Sequence, residues 1–454
     1  MKRLTRSLRY SWWLVSGFIR KNLPIILIVF VIAFFGLFFS RAFANNLTYY
    51  FNFNKQKVGI LAQGDASRMP LAVLKKVSSA LVGYDEKGQL KPQLLKKWEV
   101  LDQGKKFVCT FPKNLIWADG TAFSVKDIDA SVITFPNVKT TMPDDLTISF
   151  ELHDPLVNFP SLLTTPVIKS NFVGIGGAYK IAHIKYEFGQ IKSVNLQPLE
   201  RGLPYLVYKL YNTQDEEVLA YKMGEIDMLV TDDKTVHDVF VSWKNTTIFE
   251  STDYEKMAVI FVNTAKAPLD NKNLRQAIAQ LIDYSKFEAY GVRAYSPIFP
   301  YSFAYNADVK TYNYEPEIAQ SLVEKNNAGG HKLRLYAPYE LNQAAEVVSK
   351  DLKAAGFAPE LRYANYIPTD YDLFLTLWEP PVDPDQYVFW HQTQKASNLS
   401  NFKNVKADKF LEDGRSELSQ TKRKQIYIKF QDLLAEEEPA VYLYFPKQYT
   451  ITRQ

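Results

Sequence analysis

The chain has 454 residues, which is more than one small domain requires and suits two lobes or more. Its single cysteine, Cys109, excludes an intramolecular disulfide and a zinc site with four cysteine ligands. Residues 1–44 hold seven of the 54 Lys and Arg residues and no acid, so the remaining chain carries 47 basic against 49 acidic residues. A body this close to neutrality excludes the electrostatic footprint of a nucleic-acid-binding protein.

An uncharged apolar run at residues 23–40 predicts a transmembrane helix that anchors the chain. As a helix, Leu23–Phe39 would be about 26 Å long at about 1.5 Å per residue, close to the thickness of a bilayer core. Six positive charges precede the run, so we expect residues 1–22 in the cytoplasm and the body outside, as a single-pass protein of the cell membrane. Cleavage after Ala44, at Ala42-Phe43-Ala44, is the alternative, and it also exports the body.

From residue 45 onward, predicted strands and helices alternate, as in a large α/β protein. Apolar residues at helical spacing between Leu71 and Leu81 predict a first helix that ends near Gly83. Further helices are predicted at residues 216–223, 272–282, 315–324, 342–355 and 421–437. Strands are predicted at residues 106–111, 146–152, 207–211, 257–263, 332–336, 359–363 and 440–445.

One stretch, residues 371–390, places aromatic and acidic side chains where a strand gives way to a loop. Residues 371–378 alternate and then become apolar, as in a buried strand, and Pro380-Pro381 ends it. Asp383-Pro384-Asp385 then has the composition of a turn that opens a helix. Because strand ends commonly hold ligands in α/β proteins, this one predicts a binding site. An aromatic cluster that only seals a core is the alternative, and the stretch alone leaves both open.

Several segments, in the same order along the chain, resemble the extracytoplasmic solute-binding proteins of peptide-type ABC transporters (solute-binding protein family 5, the peptide/nickel-binding group). Each match is short, and the order in which they occur makes the resemblance specific. The segments lie at residues 81–100, 104–111, 116–127, 174–180, 220–227, 261–264, 274–283, 371–387 and 437–444.

The resemblance implies an α/β protein with a two-lobed type II periplasmic-binding fold, mixed sheets and a reduced side domain. Residues 45–260 would form lobe I, residues 264–436 lobe II, and residues 437–454 would return to lobe I. The two strands that cross near Asn263 and Pro439 would act as a hinge. The implied function is capture of a peptide or similar solute between the lobes, and its delivery to an ABC permease and its ATPase. We expect a monomer and no cofactor.

The resemblance also implies which residues contact the ligand. The predicted ligand-binding residues are Trp378, Glu379, Asp383, Tyr387, Trp390, Asn263 and Tyr444. Peptide binders of the family anchor an amino terminus with an aspartate a few positions after the tryptophan, and this sequence has proline there. Glu379 or Asp383 is left to substitute for it. For the two tryptophans and Tyr387, packing in a core remains the alternative.

Two other classes of function are alternatives to solute delivery. A hydrolase is disfavoured, because the sequence has no nucleophile elbow, no P-loop and no dinucleotide-binding glycine motif. A tethered receptor or interaction module of the same fold stays open, since an anchor suits either role. A metal site is not predicted; a nickel or haem ligand would need histidines converging on the cleft, and only His391 is placed for that.

Overall fold

The computed structural model describes residues 12–13, 21–24, 54–62, 68–85 and 88–454. The chain divides into a unit of residues Met1–Lys55 and a unit of residues Gln56–Gln454, which is the one described below. The predicted transmembrane segment, residues 23–40, lies outside the described residues apart from its first two, and so does the alternative cleavage site at Ala44. Among the residues that are described, no helix has the length and apolar character that crossing a membrane requires.

Helices and strands alternate along the described part of the second unit. The helices are α1 (Leu71–Val77), α2 (Ala130–Ile133), α3 (Gln214–Lys222), α4 (Lys234–Phe240), α5 (Lys272–Leu281), α6 (Pro316–Lys325), α7 (Asn342–Ala354), α8 (Tyr387–Trp390), α9 (Val405–Ser416) and α10 (Gln420–Glu437). The strands are β1 (Lys55–Leu61), β2 (Val82–Tyr84), β3 (Leu90–Pro92), β4 (Lys97–Leu101), β5 (Lys106–Thr110), β6 (Val138–Asp144), β7 (Thr147–Leu152), β8 (Ile168–Lys169), β9 (Val173–Gly174), β10 (Tyr179–Glu187), β11 (Gln190–Pro198), β12 (Tyr205–Tyr211), β13 (Met228–Thr231), β14 (Thr246–Thr252), β15 (Met257–Val262), β16 (Gly291–Arg293), β17 (Lys332–Ala337), β18 (Ala358–Tyr363), β19 (Leu373–Trp378) and β20 (Ala440–Arg453).

A mixed sheet runs through both lobes in the order β10-β11-β12-β1-β13-β20-β15-β19-β17-β18. The pairs β1–β13, β17–β18 and β17–β19 are parallel, whereas β10–β11, β11–β12, β13–β20, β15–β20 and β15–β19 are antiparallel. Lobe I holds the strands from β10 to β13, and lobe II holds β15, β19, β17 and β18. The long strand β20 belongs to both, because its last residues pair with β13 while Ala440–Tyr444 pair with β15. The expected two-lobed α/β architecture with mixed sheets is confirmed.

The strands change lobes at residues 253–256, between β14 and β15, and at residues 445–447 within β20. On one side of these points β14 pairs with Lys447–Arg453 of β20, and on the other side β15 pairs with Ala440–Tyr444. The crossings were predicted near Asn263 and Pro439, and the end of lobe I at residue 260. The structure instead places residues 257–260 in lobe II, because all of β15 is buried in that lobe's core.

Strand β15 is buried on both faces, which explains why its sequence is a continuous apolar run rather than an alternation. Ala258, Ile260 and Val262 face a core that includes helices α5 and α7. Met257, Val259 and Phe261 face a second core, formed with α8, α9 and α10. The end of β19 belongs to the second core, where Trp378 and Trp390 also lie. Lobe II is therefore a sheet covered by helices on both faces.

Lobe I carries an additional four-stranded antiparallel sheet, in the order β4-β5-β7-β6. Its core contains Phe107, Phe150 and Phe159, whose rings lie 5.0–5.1 Å apart. Between Asp127 and Leu146, where the side domain was expected to be reduced, the chain forms only helix α2 and strand β6 in this part of the structure.

Candidate solute-binding cleft

A cavity of about 1500 Å³ lies between the lobes, beside the strands that join them. Lobe I contributes helix α1, strand β2 and residues 164–166, and lobe II contributes Phe299, Tyr301 and residues 379–382. Residues 252–255, at the crossing between the lobes, and Gln448 also line the wall. Because the wall comes from both lobes and from the hinge, a bound solute would contact parts of the molecule that can move relative to one another.

The position of helix α1 on the cavity wall is set by two glycines of the segment 174–180. A Cβ on Gly174 would lie 2.1 Å from the Val77 carbonyl oxygen, and one on Gly177 would lie 2.2 Å from the Val77 carbonyl carbon. Only glycine permits this close backbone approach. Ser78 Oγ, immediately after the helix, accepts a hydrogen bond from the Ile175 amide at 3.0 Å. The predicted continuation of this helix to Leu81 is therefore wrong. Helix α1 ends at Val77, and from Ser78 the backbone is extended and pairs with Gly176.

The hinge carries a half-buried ion pair that joins lobe I to the crossing strand. Lys256 Nζ lies 2.6 Å from Asp232 Oδ2 and 3.6 Å from Asp253 Oδ2. The antiparallel register beyond the Met257–Trp378 pair brings Lys256 opposite Glu379 of lobe II. Burial alone would lower the pKa of Lys256, but these three carboxylates outweigh burial and hold that pKa above its ordinary value.

The lobes also meet away from the hinge, at a contact that we call the clasp: Asn158 of lobe I with Asp383, Asp385, Arg415 and Arg423 of lobe II. Asn158 Nδ2 donates to Asp383 Oδ1 and to Asp385 Oδ2, both at 3.2 Å. Arg423 forms a bidentate pair with Asp383, and Arg415 Nε lies 2.8 Å from Asp385 Oδ2. Each aspartate thus has its own arginine, and the neutral amide links the two pairs to lobe I.

The clasp lies at the edge of the cavity. Asp383 directly follows the wall residue Val382, and its carboxylate is close to the hydroxyl of Tyr84, another wall residue. Burial and the Asp383 carboxylate both raise the pKa of Tyr84, so this phenol stays protonated. A backbone hydrogen bond from the Val157 amide to the Arg415 carbonyl, 2.9 Å long, reinforces the contact between the lobes.

Of the residues predicted to bind ligand, the structure places Glu379 on the cavity wall. Trp378 and Trp390, 5 % and 1 % exposed, lie in the core of lobe II directly behind it. Asp383 is engaged by Arg423 in the clasp. Tyr387 stacks on His391, with ring centroids 4.1 Å apart.

The remaining two predicted residues lie elsewhere in lobe II. Asn263 is buried, and its Nδ2 donates to the Tyr371 carbonyl oxygen at 2.9 Å. Tyr444 lines a separate cavity of about 370 Å³ with Tyr284 and Arg293. For these positions the core alternative describes the side-chain placement, and a direct ligand contact stays a prediction.

The wall also has an aromatic part that was not predicted from the sequence, formed by Tyr84, Tyr254, Phe299 and Tyr301. The rings of Tyr254 and Tyr301 come from the hinge and from lobe II, and they meet edge to face at 5.0 Å. Tyr84 lies within residues 81–100, a segment that resembles the family, so the resemblance could have indicated Tyr84 as a candidate ligand contact. Nothing in the local pattern around Tyr254 or Tyr301 distinguishes them from other surface tyrosines.

The structure assigns His391 a packing role. Its Nδ1 lies 2.7 Å from Thr393 Oγ1 and its Nε2 lies 3.4 Å from Glu412 Oε1, in a buried position behind the cavity wall. Within the described ranges, no group of three or more His, Cys, Asp or Glu residues is arranged to hold a metal ion.

The cleft can be compared with known proteins. The family model described as "Bacterial extracellular solute-binding proteins, family 5 Middle" matches residues 89–400. The chain is 23% identical over 417 residues to the probable D,D-dipeptide-binding periplasmic protein DdpA of Escherichia coli (strain K12), covering 79% of each chain.

Solved structures share the fold. The structure of NikZ from Campylobacter jejuni in complex with Ni(L-His) superposes with a TM-score of 0.71 at 19% identity, covering 88% of this chain and 94% of that one. The oligopeptide-binding protein AppA from Bacillus subtilis, in complex with a nonapeptide, gives a TM-score of 0.67 at 18% identity with the same two coverages. The two-lobed fold and the resemblance seen in the sequence are thus confirmed, and the chain belongs to family 5 of the bacterial extracellular solute-binding proteins.

Proposed function

We propose that this protein captures a peptide or a peptide-like solute between its lobes and delivers it to an ABC permease and its ATPase. The observation that carries the proposal is the cavity of about 1500 Å³ whose wall combines both lobes and the hinge. Its volume exceeds the range of about 300–1,000 Å³ typical of sites for drug-sized ligands, which suits a solute of several residues. Two relatives named for dipeptides and one solved complex with a nonapeptide support the same class of solute.

Closure would follow from contacts that the solute makes with both lobes at once. A ligand shifts an open–closed equilibrium only through its different affinity for the two states. The hinge pair Lys256–Asp232 and the clasp at Asn158 are the contacts that the protein itself contributes to the closed arrangement. A binding rather than a catalytic role is inferred, since the relatives are named for what they bind.

Native mass spectrometry of the full chain, extracted in mild detergent without added ligand, tests the proposal. We expect satellite masses that correspond to co-purified peptides and disappear after partial unfolding and refolding. Binding of a peptide library to the refolded protein should then restore them. A refolded protein that takes up no peptide would contradict the peptide assignment.

We also propose that residues 23–40 tether the protein to the cell membrane, with the body outside and the chain acting as a monomer. The seven basic residues within residues 1–44 and the uncharged run support this orientation. After expression in a bacterial host, the protein should stay in the membrane pellet at alkaline pH, and added protease should digest the body in spheroplasts. Release of the full-length protein into the soluble fraction would contradict the tether.

A further inference from the structure

The wall of the inter-lobe cavity carries more acidic than basic side chains. Among the described residues that line it, one is basic, Lys75, and four are acidic, namely Asp85, Asp253, Glu255 and Glu379. Such an excess lowers the electrostatic potential inside a cavity bounded by low-dielectric walls.

Lysines just outside the wall compensate two of these carboxylates. Lys91 Nζ lies 3.8 Å from Asp85 Oδ2. Lys256 Nζ lies 3.6 Å from Asp253 Oδ2, but it is also shared with Asp232 at 2.6 Å. The wall residues and these neighbours together carry three lysines and five carboxylates, so they have an excess of two negative charges.

That excess is carried by Glu255 and Glu379. Both side chains are exposed to the cavity, and neither forms an ion pair or a side-chain hydrogen bond with any residue that the structure describes. Glu379 directly follows β19, and Glu255 lies in the turn between β14 and β15, one residue before Lys256. One of these carboxylates thus lines the cavity from the hinge and the other from lobe II.

Aromatic rings line the cavity beside Glu255. Tyr254 precedes Glu255 directly, and its ring contacts Tyr301 at 5.0 Å and Phe445 at 5.1 Å. Tyr254 and Tyr301 both line the cavity. A cation held between carboxylates and tyrosine rings gains from the ion pairs and from the negative faces of the rings.

We propose that the cavity selects solutes that carry a positive charge, with that charge held by Glu255 and Glu379 beside Tyr254 and Tyr301. This inference rests on the proposed function and adds the chemical class of the solute: a basic peptide or another organic polycation. An acidic solute of equal size would meet a wall with an excess of two negative charges, which disfavours it. Closure would strengthen the selection, since Glu379 moves with lobe II and Glu255 lies on the hinge.

The test compares three tripeptides of one length and different charge, namely trilysine, trialanine and triglutamate. Isothermal titration of the ligand-free full chain at low ionic strength should give the tightest binding for trilysine and the weakest for triglutamate. The double variant Glu255→Gln/Glu379→Gln should weaken trilysine binding about tenfold or more and change trialanine binding less than about twofold. Added salt should weaken trilysine binding to the unaltered protein much more than to the double variant.

A matched control is Glu317→Gln/Glu346→Gln, which removes two exposed glutamates from helices α6 and α7 of lobe II, away from the cavity wall. It should leave the order of the three peptides and their affinities unchanged. Equal affinities for all three peptides, or an unaltered trilysine affinity in the cavity variant, would overturn the charge selection while leaving the proposed function intact.

Binding of none of the peptides would contradict the peptide part of the proposed function instead. The charge selection is then decided by spermidine against a neutral polyol of similar length. Spermidine binding that is lost in the cavity variant would support it, and no binding of spermidine would overturn it.

Discussion

Asn158 Nδ2 donates to Asp383 Oδ1 at 3.2 Å, a hydrogen bond that joins lobe I to lobe II across 225 positions of sequence. The same nitrogen reaches Asp385 Oδ2, also at 3.2 Å. Since each aspartate is already paired with an arginine, the amide adds no charge to a buried site that holds two ion pairs. A neutral donor at this position lets the lobes meet without leaving a buried charge unpaired.

Asn158→Asp should open this contact. A third carboxylate against Asp383 and Asp385 removes the donor and adds repulsion, which should cost the closed arrangement about 1–3 kcal/mol. We expect a larger radius of gyration by small-angle X-ray scattering and a several-fold weaker solute affinity. Asn158→Ala loses only the hydrogen bonds, so its radius of gyration and its solute affinity should lie between those of Asn158→Asp and those of the unaltered protein. Asn313→Asp, at an exposed position of lobe II, is the control; an unchanged radius of gyration in Asn158→Asp would show that the clasp does not hold the lobes.

Arg423→Met should destabilise lobe II strongly. The guanidinium donates to Asp383 through two nitrogens, at 2.7 and 2.5 Å, and its Nε donates to the Gly414 carbonyl at 2.8 Å. Its loss leaves the Asp383 charge buried without its partner, so we expect about 3–5 kcal/mol less free energy of unfolding in urea. Adding Asp383→Asn should recover part of the lost free energy of unfolding, because it removes the unpaired buried charge. Lys422→Met, at an exposed position of the same helix, should change little; equal effects of the two single variants would refute the assignment.

Glu217 gives lobe I a dependence of stability on pH. Its side chain is buried in α3, both carboxyl oxygens lack a hydrogen-bond partner among the described residues, and burial raises its pKa to about 7. In the unfolded chain this carboxyl ionises near pH 4.5, whereas the folded protein keeps the proton. The folded state therefore binds more protons between these values, and the free energy of unfolding should fall by roughly 3 kcal/mol as the pH rises from 4.5 to 7.

Urea unfolding of Glu217→Gln over this pH range checks the assignment. The variant should lack this component of the pH dependence, so its stability relative to the unaltered protein should rise from pH 4.5 to pH 7 and then level off. Asp215→Asn, an exposed carboxylate in the first turn of the same helix, should retain the dependence. Parallel pH profiles for the unaltered protein and Glu217→Gln would contradict the buried, protonated carboxyl.

Trp390→Ala should lower stability rather than solute affinity. The ring packs against Phe261 and Trp378 at centroid distances of 5.9 and 6.2 Å, and its Nε1 donates to Gln386 Oε1 at 3.0 Å. Truncation leaves a cavity in a close-packed core, so we expect a loss of about 3–5 kcal/mol in the free energy of unfolding. Tyr366→Ala, at an exposed position, should cost little. A large loss of affinity with an unchanged melting temperature would instead assign Trp390 to the solute.

The sequence by itself determined the family and most regular elements. The predicted helix at 272–282 corresponds to α5, and the predicted strand at 257–263 corresponds to β15. Both have strong local patterns, and a local pattern is sufficient to define an element. The hairpin of β10 and β11 was not predicted, because apolar and polar residues alternate only weakly along its strands. Phe188 and Gly189, both with positive φ, form the tight turn that joins these strands.

Only the tertiary structure decided which side chains face the cavity. Along residues 378–390 the sequence shows that Trp378, Glu379, Asp383 and Trp390 cluster at a strand end, but a period-two pattern does not say which face a neighbouring element covers. Helices α9 and α10 cover the tryptophans, which leaves Glu379 on the wall. Asp383 accepts a hydrogen bond from Asn158 of the other lobe. Contacts between residues so far apart in sequence depend on chain topology, which no local pattern encodes.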